Sequence, residues 1–145
     1  MSKFDLDKSI ATFFGIGLLN RKMPGTLGSA AALIIAVIIP VHWIAIITVT
    51  VVGAWFSGRY SRKTGVEDPP EVVIDEVAGM WTAMYALPVS YGIPAFVLFR
   101  IVDILKPFPV NIAEKLPGGI GIMADDVAGG AIVWLILHAI RAYII

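Results

Sequence analysis

Long apolar stretches separated by short charged segments are the main pattern in this chain. Residues 27–58, 77–99 and 127–140 contain no Asp, Glu, Lys or Arg. The charged residues lie before and between these stretches, except for Arg141. Stretches of this length are typical of membrane segments, because a spanning helix needs roughly 20 apolar residues.

The first apolar stretch is too long for a single membrane helix. As one helix, residues 27–58 would extend roughly 48 Å at about 1.5 Å per residue, whereas a hydrocarbon core is roughly 30 Å thick. Pro40 lies near the middle, where a helix breaks or kinks. The pattern therefore predicts two helices, about residues 28–39 and 41–61, joined by a tight turn at Pro40.

The second apolar stretch has two interpretations. Pro88 and Pro94 interrupt it, so it either crosses the membrane once or forms a hairpin of two short arms. A single crossing would place Asp75 and Asp103 on opposite sides of the membrane. The hairpin places all the charged segments on one face, which the positive-inside rule makes cytoplasmic, and we favour it. Its arms of roughly 12 residues are too short to span and would be partly re-entrant.

The last apolar stretch predicts a plain spanning helix from about residue 122 to residue 145. We therefore expect an all-α fold, a small polytopic membrane helical bundle with two proline-broken helical hairpins and a C-terminal transmembrane helix. The 145 residues form a single domain, in which residues 1–20 are an N-terminal interfacial segment.

Composition agrees with a lipid-facing surface and excludes several kinds of site. The chain is 58% hydrophobic and 15% charged, whereas soluble domains are roughly 45–50% apolar and about 25% charged. A net charge of zero gives no reason to expect nucleic acid as a partner. The absence of cysteine excludes disulfides, thiolate metal sites and cysteine nucleophiles. Acidic residues near the N-terminus and the lack of a cleavage site argue against a signal peptide.

Three clusters of functional side chains lie at the ends of the apolar stretches. The first, residues 21–29, contains two cations, and Thr26 or Ser29 can cap the first helix. A helix N-terminus beside cations favours an anion site. The segment by itself favours the alternative, an ordinary N-cap after a Pro-Gly turn.

The second cluster is acidic. Asp75 and Glu76 lie where the chain enters an apolar stretch, and carboxylates are costly there unless they are paired or bind a metal. They could instead only favour a helix N-terminus electrostatically. Their position slightly favours a functional role, and we assign Glu67, Asp68 and Glu71 to a solvated loop.

The third cluster contains both signs of charge. Arg100, Asp103 and Lys106 are spaced by three, so one helical face presents a cation, an anion and a cation. That face either contacts an anion or forms an internal salt-bridge ladder. Asp125 and Asp126 open the last helix after a flexible glycine-rich turn, with N-capping as the alternative.

One-sided topology would gather five carboxylates at one site. Carboxylate oxygens suit a hard cation such as Mg²⁺. Arg100 and Lys106 suit the oxygens of a phosphate group. The pattern indicates metal-assisted phosphate chemistry and does not by itself identify a substrate. The five acids are Asp75, Glu76, Asp103, Asp125 and Asp126.

Four segments at these clusters resemble, in order, the bacterial phosphatidylglycerophosphatase A family. They are residues 24–29 (PGTLGS), 73–81 (VIDEVAGMW), 99–109 (FRIVDILKPFP) and 118–126 (GGIGIMADD). The resemblance covers the chain from about residue 15 to the C-terminus.

The resemblance implies an enzyme of the bacterial inner (cytoplasmic) membrane, multi-pass, with its active site facing the cytoplasm. Its expected partner is a phospholipid substrate, phosphatidylglycerol phosphate, which it hydrolyses to phosphatidylglycerol and phosphate with Mg²⁺. The alternative is a non-enzymatic small membrane scaffold or transporter subunit.

The resemblance also implies residue roles. We expect the catalytic residues to be Asp75, Glu76, Asp125 and Asp126. The expected metal ligands are Asp75, Glu76, Asp103 and Asp125. The expected substrate-binding residues are Thr26, Ser29, Arg100 and Lys106. We favour attack by water with a carboxylate as base, and a carboxylate nucleophile forming an acyl phosphate stays open.

Overall fold

The computed structural model describes residues 5–144, which form helices joined by turns and loops. Within this range the prediction of an all-α fold is confirmed. Short 3₁₀ turns lie at Ile16–Leu18 and Val89–Tyr91. The α-helices are α1 (Leu6–Ala11), α2 (Pro24–Ile38), α3 (Trp43–Thr64), α4 (Ile74–Met84), α5 (Gly92–Leu105), α6 (Val110–Ala113) and α7 (Gly118–Ile144).

Helix α4 is the centre of the bundle. Nearly all of its residues are buried, and α2, α3, α5 and α7 all pack against it. Gly79 permits the approach of α7, because a Cβ there would lie 2.6 Å from the backbone carbonyl oxygen of Asp126. With a length of roughly 16 Å at about 1.5 Å per residue, α4 is a buried core helix rather than a spanning one.

Helices α3 and α7 are long and apolar enough to cross a membrane. They contain 22 and 27 residues, and α2 is a shorter apolar helix. Many large apolar side chains on these helices are exposed, such as Val51, Trp55 and Leu135. An exposed apolar surface of this extent is what contact with lipid requires.

The chain turns close to both predicted proline positions. Around Pro40, α2 ends at Ile38 and α3 begins at Trp43, and around Pro88, α4 ends at Met84. The two helices that flank Pro40 both pack against α4, and their other neighbours differ. Helix α2 lies against α4 and α5, whereas α3 lies against α1, α4 and α7.

The prediction for the start of the last helix was wrong. Helix α7 begins at Gly118, so Asp125 and Asp126 lie about two turns inside it and do not cap its N-terminus. The glycine-rich segment is helical and packs tightly. A Cβ at Gly119 would overlap the backbone carbonyl of Ala54 on α3, and one at Gly121 would overlap the carbonyl of Leu116.

The described part of the N-terminal segment is held against α3. Asp7 is buried and forms ion pairs with Arg59 and Lys63. The N–H of Val73 donates to the carbonyl of Ala11 at 2.9 Å. Residues 1–4 of the predicted interfacial segment lie outside the described residues.

The turn between α4 and α5 lies at the opposite end of the bundle from the charged clusters. There, Trp134 Nε1 donates to the carbonyl of Tyr85 at 2.8 Å, and Arg141 Nη1 donates to the carbonyl of Ala86 at 3.3 Å. The start of α4 and the end of α5 therefore face the same end of the bundle, together with the first turns of α7.

Candidate active site

The structure brings all five predicted carboxylates together in two overlapping groups. Asp75, Glu76 and Asp126 form one group, and Asp103, Asp125 and Asp126 form the other. Within each group, one carboxylate oxygen from each residue lies within 4.8 Å of the others. Asp126, which we assigned only to catalysis, is common to both groups, so its position fits a metal ligand as well.

The acids come from three helices. Asp75 and Glu76 lie in the first turn of α4, and Asp103 lies in the last turn of α5. Asp125 and Asp126 lie inside α7, where both are buried. Because α4 and α7 are in close contact at Gly79, the acids of α7 face those at the start of α4.

Two cations link these carboxylates. Arg100 Nη1 donates to Asp103 Oδ2, and it lies 3.4 Å from Glu76 Oε2. Lys106 Nζ donates to Asp125 Oδ2 at 3.0 Å, and it lies 3.4 Å from Asp103 Oδ1. The predicted face of α5 therefore exists. Its three charged side chains pair with one another as an internal ladder, and its two cations also reach carboxylates of α4 and α7.

The charge of the site is unbalanced. Five carboxylates against two cations leave an excess of three negative charges when all are ionised. Buried carboxylates without compensating charge are costly. Asp125 Oδ1 is buried and has no hydrogen-bond partner within the described residues. A free carboxylate oxygen in an all-oxygen donor set fits a hard divalent cation.

The electrostatic environment keeps Lys106 charged. Burial disfavours its charged form, but the carboxylates of Asp125 and Asp103 outweigh that effect and raise the pKa of Lys106. Its ammonium group is thus a permanent cation at neutral pH, suited to a phosphate oxygen.

The N-terminus of α2 completes one wall of the site. Helix α2 begins at Pro24, and no side chain caps it, so the prediction that Thr26 or Ser29 is a cap was wrong. Thr26 lies half-buried in the first turn. Ser29 is buried, and its hydroxyl oxygen lies 3.2 Å from Glu76 Oε2 and 2.9 Å from the carbonyl oxygen of Gly25, within donating distance of either acceptor. Ser29 thus orients a carboxylate, because α2 packs against α4 with its first turns beside Glu76.

Gly25 explains the close approach of α2 to the charged groups. A Cβ on Gly25 would lie 3.0 Å from Arg100 Nη1 and 3.0 Å from Glu76 Oε1. The backbone of the first turn therefore lies directly beside the Arg100–Glu76 pair. Backbone N–H groups in a first turn have no partner within the helix, which favours an anion at this wall.

Glu114 also reaches the site, although the sequence did not predict it. Its carboxylate lies 3.9 Å from Lys106 Nζ, because the short helix α6 turns the chain back beside the end of α5. Asp68 is exposed, as predicted, yet it lines a cavity of about 200 Å³ together with Glu114 and Asp125. No periodic pattern singles out Glu114, so only the folded arrangement identifies it.

Comparisons with known proteins find similarity along nearly the whole chain. The family model described as Phosphatidylglycerophosphatase A matches residues 9–141. A protein of Escherichia coli named Phosphatidylglycerophosphatase A is 34% identical, covering 90% of this chain and 81% of its own length. A Haemophilus influenzae protein of the same name is also 34% identical, covering 94% of this chain and 89% of its own length.

A third relative has a different name. A protein of Bacteroides thetaiotaomicron named "Putative phosphatidylinositol-3-phosphatase" is 35% identical, covering 91% of each chain. No solved structure matches this chain.

We predict that Mg²⁺ stabilises the folded protein through this site. Adding Mg²⁺ at 100 times its dissociation constant should raise the free energy of unfolding by about 2.7 kcal/mol. Asp126→Asn should abolish most of that increment, since Asp126 belongs to both acidic groups. Thermal unfolding in detergent, with Mg²⁺ and with a chelator, measures the difference.

Asp5→Ala is the control for this experiment. Asp5 caps α1, so its loss lowers the melting temperature in both conditions and should leave the Mg²⁺-dependent increment unchanged. An increment that survives Asp126→Asn would show that the cation binds elsewhere.

Proposed function

The chain belongs to the phosphatidylglycerophosphatase A family, and on that premise we propose that it hydrolyses phosphatidylglycerol phosphate to phosphatidylglycerol and inorganic phosphate with Mg²⁺. Membership makes it a phosphatase. The observation that carries the proposal is the group of five carboxylates, four of them buried, beside Arg100 and Lys106.

The names of the relatives indicate the kind of substrate that we propose. Two are named for phosphatidylglycerophosphate, and the third is named for a phosphatidylinositol phosphate. Both kinds of substrate carry a phosphate monoester on a lipid headgroup. We propose phosphatidylglycerol phosphate because the family model and two of the three relatives point to it.

Arg100 and Lys106 are proposed to bind the phosphate group. Each is already next to the carboxylates, Arg100 beside Glu76 and Lys106 beside Asp125. A guanidinium can hold two phosphate oxygens at once, and an ammonium acts as a point charge. Thr26 lies in the first turn of α2, and the free backbone N–H groups of that turn favour the same anion. Ser29 acts through Glu76, which it holds in place.

The carboxylates are proposed to hold the cation and to move the proton. Asp75, Glu76, Asp103 and Asp125 are the proposed ligands, with Asp126 as a further one. Bound there, Mg²⁺ would neutralise charge on the phosphoryl group and on the leaving oxygen. A divalent cation at this position would also offset the excess of negative charge in the site.

The proposed reaction is attack by water on phosphorus. A carboxylate accepts a proton from the water as its oxygen bonds to phosphorus, and the bond between phosphorus and the ester oxygen breaks. The ester oxygen takes a proton and leaves as the alcohol of phosphatidylglycerol. The proposed base is one of Asp75, Glu76, Asp125 and Asp126.

The proposed location is the bacterial cytoplasmic membrane, with the active site at its cytoplasmic face. Helices α3 and α7 supply the candidate spans, and the two proline turns lie at the end of the bundle opposite the carboxylates. Arg59, Arg62 and Lys63 lie near the same end as the active site, and Arg141 lies at the other end. This asymmetry agrees with the positive-inside rule. The acyl chains can stay in the bilayer while the headgroup reaches the site.

We predict chelator-sensitive release of phosphate from phosphatidylglycerol phosphate in detergent micelles. Asp75→Asn should lower kcat at least 100-fold, the range in which loss of a positioned carboxylate falls. The same assay with phosphatidylinositol 3-phosphate tests the substrate. Faster release from that lipid would support the proposed phosphatase reaction but contradict the proposed substrate. No release from any lipid phosphate would favour the scaffold alternative. A trapped acyl phosphate would replace water attack by a carboxylate nucleophile.

We predict that Arg100→Gln and Lys106→Gln each lower kcat/KM about 10- to 100-fold, the range for loss of a hydrogen bond to a charged group. Arg100→Lys should not restore activity, because an ammonium cannot bind two oxygens in parallel. Steady-state kinetics measures both effects. Lys115→Gln, an exposed cation at the same end of the molecule, is the control and should change kcat/KM less than twofold. Unchanged kinetics in the Arg100/Lys106 double variant would refute phosphate binding by these residues.

We predict opposite membrane sides for the two ends of the bundle. The chain has no cysteine, so single-cysteine variants need no background substitutions. A maleimide that cannot cross membranes should label Tyr143→Cys in intact spheroplasts, and should label Lys115→Cys only after the membrane is opened. Tyr143 is 93% exposed and Lys115 is also exposed. Labelling of both variants in intact spheroplasts would overturn the one-sided topology.

A further inference from the structure

An apolar groove runs along the outer surface of the bundle between α3 and α7. These helices are antiparallel, since Gly58 contacts Gly119, and Ile47 lies near Trp134 at the other end. The groove has a volume of about 890 Å³, and its walls are almost entirely apolar. Its lining includes Val51, Ala54, Trp55, Met123, Val127 and Ala128.

The dimensions of the groove match a lipid chain. On α3 it extends from Thr50 to Arg62, roughly 18 Å at about 1.5 Å per residue. One leaflet of hydrocarbon is about 15 Å deep, half of a core of roughly 30 Å. An acyl chain that enters from the membrane boundary could therefore lie along the whole groove.

A basic depression adjoins the groove at its charged end. It has a volume of about 460 Å³ and is lined by Trp55, Arg59, Arg62 and Lys63. Trp55 and Arg62 line both spaces. The apolar groove is complementary to an acyl chain, and the adjoining cations and exposed tryptophan are complementary to a phospholipid headgroup.

Arg62 is the cation best placed for a ligand. Arg59 and Lys63 form ion pairs with the buried Asp7, whereas Arg62 has no ion pair among residues 5–144. Its Nη1 lies over Gly58, 3.7 Å from where a Cβ would be, and therefore at the end of the groove. An anion at this point would meet a guanidinium that no carboxylate of the described residues pairs with.

We propose that the groove and the basic depression together bind one anionic phospholipid, with an acyl chain between α3 and α7 and the headgroup phosphate on Arg62. This lipid site is separate from the active site. Ala124 and Ala128 of the groove each lie two residues from Asp126, which at about 100° per residue puts them on the opposite face of α7. The proposal depends on the membrane location of the chain but not on the reaction it catalyses.

Quenching of Trp55 fluorescence tests the site. Wild type and Trp55→Phe are reconstituted in phosphatidylcholine bilayers. To these bilayers is added either phosphatidylglycerol or further phosphatidylcholine, in each case with brominated acyl chains. A chelator is present so that no hydrolysis occurs. The difference between the two proteins isolates Trp55, while Trp81 and Trp134 keep their hydrogen bonds to backbone carbonyls. Brominated phosphatidylglycerol should quench Trp55 with about fivefold higher relative affinity than brominated phosphatidylcholine, the effect of about one cation near a membrane surface.

Two variants distinguish a built site from general surface charge. Arg62→Gln should remove the preference for phosphatidylglycerol, whereas Lys115→Gln should keep it. Ala128→Phe, which fills the groove and leaves Arg62 in place, should lower quenching by phosphatidylglycerol. Equal quenching by both lipids in wild type, or an unchanged preference in Arg62→Gln, would overturn the proposal. A dimer on native mass spectrometry that Ala128→Phe dissociates, without any lipid preference, would assign the groove to a second copy of this chain instead.

Discussion

Negative charge buried between helices is the constraint on which this structure depends. Asp126 is 2% exposed and contributes to both acidic groups, so α4, α5 and α7 must meet around it. Asp103 pairs with both Arg100 and Lys106. These two cations also contact carboxylates of α4 and α7, so the ion pairs connect the three helices. The two cations offset part of the charge, and the remainder makes the site receptive to a divalent cation.

Close helix packing makes that arrangement possible. Helix α4 is short and enclosed, and it carries two acids at its buried N-terminus. Gly79 and Gly130 allow α4 and α7 to touch at their backbones, and Gly28 allows α2 to approach Val73. Without a hydrophobic driving force between helices in lipid, such small residues supply the van der Waals contact that holds a bundle together. The glycines thus bring the polar groups of separate helices into one site.

The enzymatic interpretation and the scaffold alternative differ in how they account for the charges. Solvated loop charges or an ion path would not require five acids and two cations in contact at one end of the bundle. The family match over residues 9–141 supports the enzyme, and none of the three relatives supports the alternative. Exposed apolar surface on α3 and α7 agrees with a substrate that stays in the membrane.

The sequence alone determined the helical class, and it singled out five acids that the structure brings together, because hydrophobicity and charge are local properties of the chain. Tertiary packing decided the rest. Helix α7 begins at Gly118, and Gly119 lies against the backbone of Ala54, a contact between residues far apart in sequence. Ser29 orients Glu76 instead of capping α2, and Glu114 approaches Lys106, because the packing of neighbouring helices and turns sets the direction of each side chain. The periodicity of one segment carries no information about the backbone that it will meet.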